Sequence, residues 1–519
     1  MPRLRCADAD GDADADADGD ADTGPGPDAD GDGTANPASG GDDCDDDNSA
    51  IHPGATEVCG DGVDNDCDGG PGDYALVSGS LSEGVEFAGA SAEDYAGYAV
   101  SGAGDVNADG YDDVLVGVYA DDAVGYASGA ACLVLGSALP LSASLSTAVQ
   151  YTGEREGDTA GIAVSSAGDV GADGYVDLLV GASSNGDVGV AAGAAYVVFG
   201  SAFPASNSLS SAVEFYGESA YHVAGAAVSG AADVNGDGYD DLLIGAYNNG
   251  DAVTGAGATY VVLGSAALTS VSLSSAIQYS GEATANYSGS AVSAGGDADG
   301  DGYADVLVGA YGNADAGVNA GAAYLVLGGV TPTSENLGAA VQYTGSAYDR
   351  AGSAVAGAGD VNGDGYDDAL IGAYASGTDR GAAYLVLGSA TPVSSSLATA
   401  VEYSGENADD WAGFSVAGPG DVDDDGHDDL LIGALHNSDV GTYGGAAYVV
   451  LGSSTPASGT LATALQYSAE YAVDLAGQAV AGGGDVNGDG IADRLVGAFY
   501  NDDGATNAGA AYVIFGAGL

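Results

Sequence analysis

Lysine is missing from this sequence altogether, and only six arginines (Arg3, Arg5, Arg155, Arg350, Arg380 and Arg494) stand against 77 acidic residues. The formal net charge of −71 leaves no basic surface of the kind that nucleic-acid phosphates require, so a nucleic-acid partner is excluded. No apolar run approaches the roughly 18 residues of a membrane-crossing helix, and the 3.6-residue helical period is essentially absent. Met1–Cys6 carries arginines without an apolar stretch behind them, so no export signal can be read there. Enzyme signatures are missing too. The four histidines (His52, His222, His427 and His436) show no ligand or triad spacing. No serine sits in a G-x-S-x-G elbow, and no phosphate-binding loop or dinucleotide fingerprint occurs. No catalytic residue is assigned.

What is there is glycine, 91 residues of it, together with 46% hydrophobic residues. Short runs of Val, Leu, Ile and Tyr alternate with Gly/Asp/Ser clusters, the pattern of an all-β protein. The segment GDVNGDGYDD at 359–368 raises the functional question: four carboxylates in ten residues repel one another unless something neutralises them. Its first Asp recurs at Asp105, Asp169, Asp233, Asp297, Asp360, Asp421 and Asp485, at intervals of 64, 64, 64, 63, 61 and 64. In step with it run a short strand upstream (Ala96–Val100, Ala412–Val416) and an apolar strand downstream that ends in Gly-Ala (Leu242–Ala246). A third strand (GAAYLVLG at 321–328) and a fourth (AVQYTGE at 148–154) complete the unit.

Seven units of four strands each predict a closed ring of sheets, a seven-bladed β-propeller spanning residues 74–519. The last unit stops after its third strand, Gly509–Gly516, while a spare fourth strand, Gly84–Gly89, lies at the other end. Pairing the two would close the ring and remove two open edges.

In each unit the oxygen-bearing residues fall at positions 1, 3, 5 and 9 of D-x-[DN]-x-D-G-x-x-D, with a backbone carbonyl available at position 7. Alternate residues on a tight turn converge on one point, and hard oxygen donors in that number suit Ca²⁺ better than Mg²⁺. The candidate ligands are Asp105, Asn107, Asp109, Tyr111 and Asp113; Asp233, Asn235, Asp237, Tyr239 and Asp241; Asp297, Asp299, Asp301, Tyr303 and Asp305. They continue with Asp360, Asn362, Asp364, Tyr366 and Asp368; Asp421, Asp423, Asp425, His427 and Asp429; Asp485, Asn487, Asp489, Ile491 and Asp493. The second copy has Gly171 at position 3, leaving Asp169, Asp173, Tyr175 and Asp177 as a weak seventh site. Asp, Asn and Gly also make good turns without any metal, but seven in-phase copies favour the ligand reading. His427 is expected to face solvent.

These residues resemble the FG-GAP repeats of integrin α-subunit propellers over residues 84–519. The resemblance implies Ca²⁺ in the hairpin loops on one rim and ligand approach from the other. Two departures stand out: the family's Phe-Gly is mostly Ala-Gly here, and its Gly-Ala-Pro is Gly-Ala-Tyr.

Residues 1–43 are Asp/Ala/Gly/Pro low complexity and predict a disordered acidic linker. Residues 44–73 follow as a small Cys/Asp-rich segment, and DCDDDNSAIHPGATEVCGDGVDNDCDG (43–69) resembles the MopE-like metal-binding motif of secreted bacterial proteins. Asp64, Asp66 and Asp68 repeat the cation-loop spacing there. Cys44, Cys59 and Cys67, with Cys6 as a fourth, read as a disulfide staple of unassigned pairing. Cys132 is expected to be a buried free thiol.

Taken together, the sequence predicts a monomeric Ca²⁺-binding adhesion or recognition module, secreted or held at the cell surface, with an extracellular protein or glycan as partner. A propeller hydrolase or lyase using one metal site is the alternative. The varied segments before successive first strands, with the single tryptophan Trp411 among them, are the expected recognition loops; Trp411 itself reads equally as a recognition anchor or as packing between blades.

Overall fold

The computed structural model describes residues 76–516. Contacts gather Ser78–Val422 and Gly426–Phe515 into one compact unit, while Asp423–Asp425 falls in a second, smaller unit. The larger unit is all-β and comprises seven sheets, the predicted propeller. In the first blade, Val100–Gly104, Asp113–Val118, Ala130–Val134 and Val149–Thr152 pair in that order. The other six blades repeat this antiparallel meander.

The second strand of every blade is buried along its whole length, as in Asp241–Ala246. That follows from its place near the middle of a sheet covered on both faces. Each apolar core lies between adjacent blades: Leu179, Val197 and Phe215 of the second pack with Leu242, Ile244 and Tyr260 of the third. The blades approach so closely that a Cβ on Gly117 would stand 2.1 Å from the Gly161 carbonyl of the next blade. Only glycine fits there.

The ring closes as expected. Val85–Ala88 pairs antiparallel with Ala510–Ile514, with Val85 opposite Val513 and Ala88 opposite Ala510. Two features differ from the sequence expectation. The first is a fifth strand of two residues on every blade, donated by the next blade in the ring. Asn207–Ser208, for instance, runs parallel to Tyr151–Thr152, and Ser206 Oγ accepts the Gln150 N–H at 3.0 Å. A three-residue 3₁₀ turn follows, capped by Ser208 and anchored by buried Leu209. The seven turns plug Leu81, Leu145, Leu209, Leu273, Leu337, Leu397 and Leu461 into the core. The second difference is register. The first blade's inner strand begins at Val100 rather than Ala96, and Ala96 makes only a single parallel bridge with Gly509.

A candidate metal rim

Each acidic loop joins the first and second strands of its blade, so all seven lie on one rim. The position-6 glycine takes a positive φ in every copy, 90° at Gly365 and 93° at Gly110, which allows the sharp turn. The position-1 carboxylate sits inside that turn. Its Oδ2 accepts the position-6 N–H at 2.8–2.9 Å in all seven loops, as in Gly110 to Asp105 and Gly426 to Asp421. Its Oδ1 accepts the position-5 N–H, as in Asp364 to Asp360 at 3.0 Å and Asp489 to Asp485 at 2.9 Å. Asn107, Asn362 and Asn487 each turn Oδ1 inward to the same N–H at 2.8 Å. In the fourth loop, Asp297, Asp299 and Asp301 each bring one oxygen within 4.8 Å of the others.

The position-9 residue is of a different kind. Asp113, Asp177, Asp241, Asp305, Asp368, Asp429 and Asp493 open the second strands and are fully buried. In six blades its Oδ1 accepts the N–H of the glycine just past the third strand, as in Gly136 to Asp113 at 2.8 Å. In five its Oδ2 accepts the position-2 N–H, as in Val106 to Asp113 at 3.1 Å. In the second and fifth blades the Val170 and Val361 N–H groups still draw on the carboxyl but form no full hydrogen bond, which leaves Oδ2 of Asp177 and of Asp368 buried without one. Burial pushes the carboxyls of Asp113, Asp241, Asp305 and Asp368 up to about 7 and that of Asp177 to about 6, against the pull of these N–H donors. An unneutralised buried carboxylate is costly. A hard cation in the loop above would remove that cost, and the donor set (carboxylates, Asn amides, backbone carbonyls) fits one.

Position 8, unremarked in the sequence reading, ties the loops together. Asp112, Asp240, Asp367 and Asp428 each accept the position-1 N–H of the preceding loop at 2.7–2.8 Å. Position 7 contributes its ring as well. Tyr111, Tyr303 and Tyr366 lie against the position-4 glycines of the preceding loops (Gly488, Gly236 and Gly300), and His427 covers Gly363. His427 is therefore half-buried rather than solvent-facing. Asp423 and Asp425 lie along the sixth loop between Asp421 and His427, but belong to the second unit. Asp64, Asp66, Asp68 and the cysteines Cys6, Cys44, Cys59 and Cys67 lie outside the described residues. Cys132 is buried and free, its thiol pushed up to about 12 by burial.

The second-to-third and fourth-to-first connections form the opposite rim. There Tyr95, Thr159, Val223, Tyr287, Arg350, Trp411 and Leu475 all adopt φ between 55° and 61°, an unfavourable region for side chains of this size. Their N–H groups bond to the preceding blade's loop, as in Trp411 to the Asp379 carbonyl at 3.2 Å. The Trp411 ring stacks on His436 at 3.8 Å between centroids and packs near Tyr374 and Phe414. Tyr126, Tyr221, Tyr348 and Tyr471 are exposed on neighbouring connections. The sequence reading found no ligand spacing among the histidines. The structure brings His222 beside Glu218 and Asp251.

The seven sheets, each with an acidic hairpin between its first two strands, define the class, a β-propeller. The FG-GAP repeat model matches residues 224–262, 288–326 and 351–386, and the MopE model, described as "Putative metal-binding motif", matches residues 43–71. Among curated proteins, mouse integrin alpha-IIb is 33% identical over 169 residues, 31% of this chain and 16% of that protein. Human integrin alpha-IIb is 35% identical over 171 residues, with the same coverage. Integrin alpha pat-2 of Caenorhabditis briggsae is 40% identical over 90 residues, 17% of this chain and 7% of that protein. The chain thus carries FG-GAP repeats related to those of integrin α subunits, and spans at most about one-sixth of the length of these relatives. Among the described residues no helix is long and apolar enough to cross a membrane.

Proposed function

We propose that this chain is an extracellular or cell-surface recognition module whose propeller is held by Ca²⁺, with six strong sites and a weaker seventh. Each strong site would use side-chain oxygens from positions 1, 3, 5 and 9 with the position-7 carbonyl. The observation that carries the reading is the buried position-9 carboxylate, with Oδ2 orphaned in Asp177 and Asp368 directly beneath a turn rich in oxygen donors. The ion supplies charge compensation. The chain's own residues do the rest: position 1 fixes the turn, and position 9 fastens the loop to the third strand. Recognition of an extracellular protein or glycan is assigned to the opposite rim, where Tyr126, Tyr221, Tyr348 and Tyr471 are exposed. The integrin relatives and the MopE-like segment support the extracellular setting, and the module acts by binding rather than by turnover.

The test is thermal unfolding with chelator, with Ca²⁺ and with Mg²⁺, alongside attachment to arrayed extracellular proteins and glycans. The account expects Ca²⁺ to raise the melting temperature, by the equivalent of about 2.7 kcal/mol per site at a hundredfold excess over Kd. Attachment would depend on it. Equal melting temperatures in chelator and Ca²⁺ would refute the metal assignment.

A further inference from the structure

On the opposite rim a second polar cluster repeats between blades. The third-strand tyrosine (Tyr196, Tyr260, Tyr324, Tyr448 or Tyr512) takes a hydrogen bond from an Asn Nδ2 at 2.9–3.0 Å. Two residues after each Asn stands an Asp whose N–H bonds back to the Asn Oδ1, as in Asp251 to Asn249 at 2.9 Å. A Glu from the fourth-to-first connection joins the group, as in the 2.5 Å bond from Tyr324 to Glu282. The cluster therefore crowds carboxylates. In the second blade the chain provides its own counter-charge, with the Arg155 guanidinium paired to Asp187.

The third blade has no arginine there, and it departs from most of the others at one more position. In five blades an Asp caps the N–H three residues earlier: Asp94, Asp158, Asp349, Asp410 and Asp474. The third blade places His222 at this point, 92% buried by its 8% relative exposure. Its Nδ1 lies 3.2 Å from Asn249 Nδ2. Its Nε2 points at Asp251 Oδ1 from 3.8 Å, too far for a hydrogen bond. Glu218, His222 and Asp251 each bring one ligand atom within 4.8 Å of the other two.

We propose that Glu218, His222 and Asp251 form a binding site for a transition-metal dication of the Zn²⁺ type, distinct from the seven acidic loops. One borderline imidazole nitrogen with two carboxylate oxygens is a donor set that Zn²⁺ takes. Bonds of about 2.0–2.2 Å to a shared ion hold such donors a little over 3 Å apart, so the 3.8 Å gap must contract modestly and the Glu218 carboxylate, within 4.8 Å of both, must close in with it. Ca²⁺ takes six to eight oxygens and gains little from imidazole. Three protein ligands leave a fourth tetrahedral position for water, on the side where Asp251 is exposed. Asn249 and Tyr260 steady the site from behind, since Asn249 Nδ2 also lies 3.3 Å from Asp251 Oδ2. Coordination through Nε2 places the ring proton on Nδ1, 3.2 Å from Asn249 Nδ2, so the imidazole must turn its Nδ1–H away from that amide as the ion enters.

The test uses the full chain saturated with Ca²⁺, titrated with Zn²⁺ by calorimetry and with Co²⁺ by visible absorption. The comparison variants are His222→Asn and Asp251→Asn. Asn286 fills the equivalent place in the fourth blade, so the first substitution suits the fold, and the second alters an exposed loop residue. The site predicts that each variant binds one equivalent of Zn²⁺ fewer than the parent and loses the intense d–d bands of tetrahedral Co²⁺. It also predicts unchanged Ca²⁺ stoichiometry. Equal Zn²⁺ counts and Co²⁺ spectra in the parent and both variants would overturn it. Should His222→Asn not fold, Asp251→Asn is read by the same two outcomes.

Discussion

The Asp112 carboxylate in the first blade accepts the backbone N–H of Asp485 in the seventh at 2.8 Å, across 373 residues of sequence. The Asp112 N–H returns a bond to the Asp485 carbonyl at 3.0 Å. At the seam of the ring, the first acidic loop is thus fastened to the last.

This contact gives the first prediction. Asp112→Ala removes the carboxylate bond and keeps the backbone one, the state that Ala304 already shows against Asp233. Stability of the Ca²⁺-loaded protein should fall by about 1.5–3 kcal/mol, the worth of a hydrogen bond to a charged group. Ca²⁺ affinity at the seventh loop should weaken with it. Chemical unfolding of the variant against the parent checks this, and an unchanged midpoint would show that the seam does not depend on the link.

A second prediction concerns the chain's start. Gly79–Ser80 adds a strand to the sixth blade, Ser78 Oγ accepts the Gln466 N–H at 3.0 Å, and Val85–Ala88 completes the seventh. Deleting residues 1–43 should leave the melting temperature in place, whereas deleting 1–90 should lower it sharply and open both blades to proteolysis. Identical melts for the two truncations would contradict the closure.

How much of this was legible beforehand follows from what each feature writes into the sequence. The 64-residue period and the spare strand at Gly84–Gly89 were readable because a whole blade must recur to be stacked. Position 9 was readable as a carboxylate, but its burial was not, since that depends on the third-strand glycine folding back over it. The two-residue fifth strands were missed although S-x-S-L recurs before most fourth strands, because two residues carry no periodicity of their own. His222 was missed because its partner Asp251 lies 29 residues downstream, across a loop.

The third prediction is a pH dependence. Asp113, Asp241, Asp305 and Asp368 hold their protons up to about 7 when folded without metal, against about 3.9 unfolded. A carboxyl raised in this way binds its proton more tightly in the folded state, so protonation stabilises the fold. That contribution is fully present below pH about 4 and is lost as pH rises through about 7. In chelator the melting temperature should therefore fall from pH 5 to pH 8, and saturating Ca²⁺ should remove or reverse the slope. A chelated protein more stable at pH 8 than at pH 5 would contradict the carboxylate burial.

Trp411 provides the fourth. Sequence reasoning placed it among recognition loops, and the structure wedges its ring between His436, Tyr374 and Phe414. Trp411→Ala should cost about 2–3 kcal/mol, somewhat below the range for a fully buried aromatic. Tyr348→Ala, on an exposed side chain, should leave stability unchanged and weaken attachment. An unaltered melting temperature for Trp411→Ala would return that residue to the recognition surface.

The central claim, that the acidic hairpins are cation sites, is tested most directly by counting bound Ca²⁺ at equilibrium. Full-length protein would be compared with Asp105→Asn and Asp360→Asn, which neutralise position 1 in the first and fifth loops. The account predicts at least six tightly held ions in the parent and one fewer in each variant. A parent holding only one or two, or variants holding as many as the parent, would contradict it.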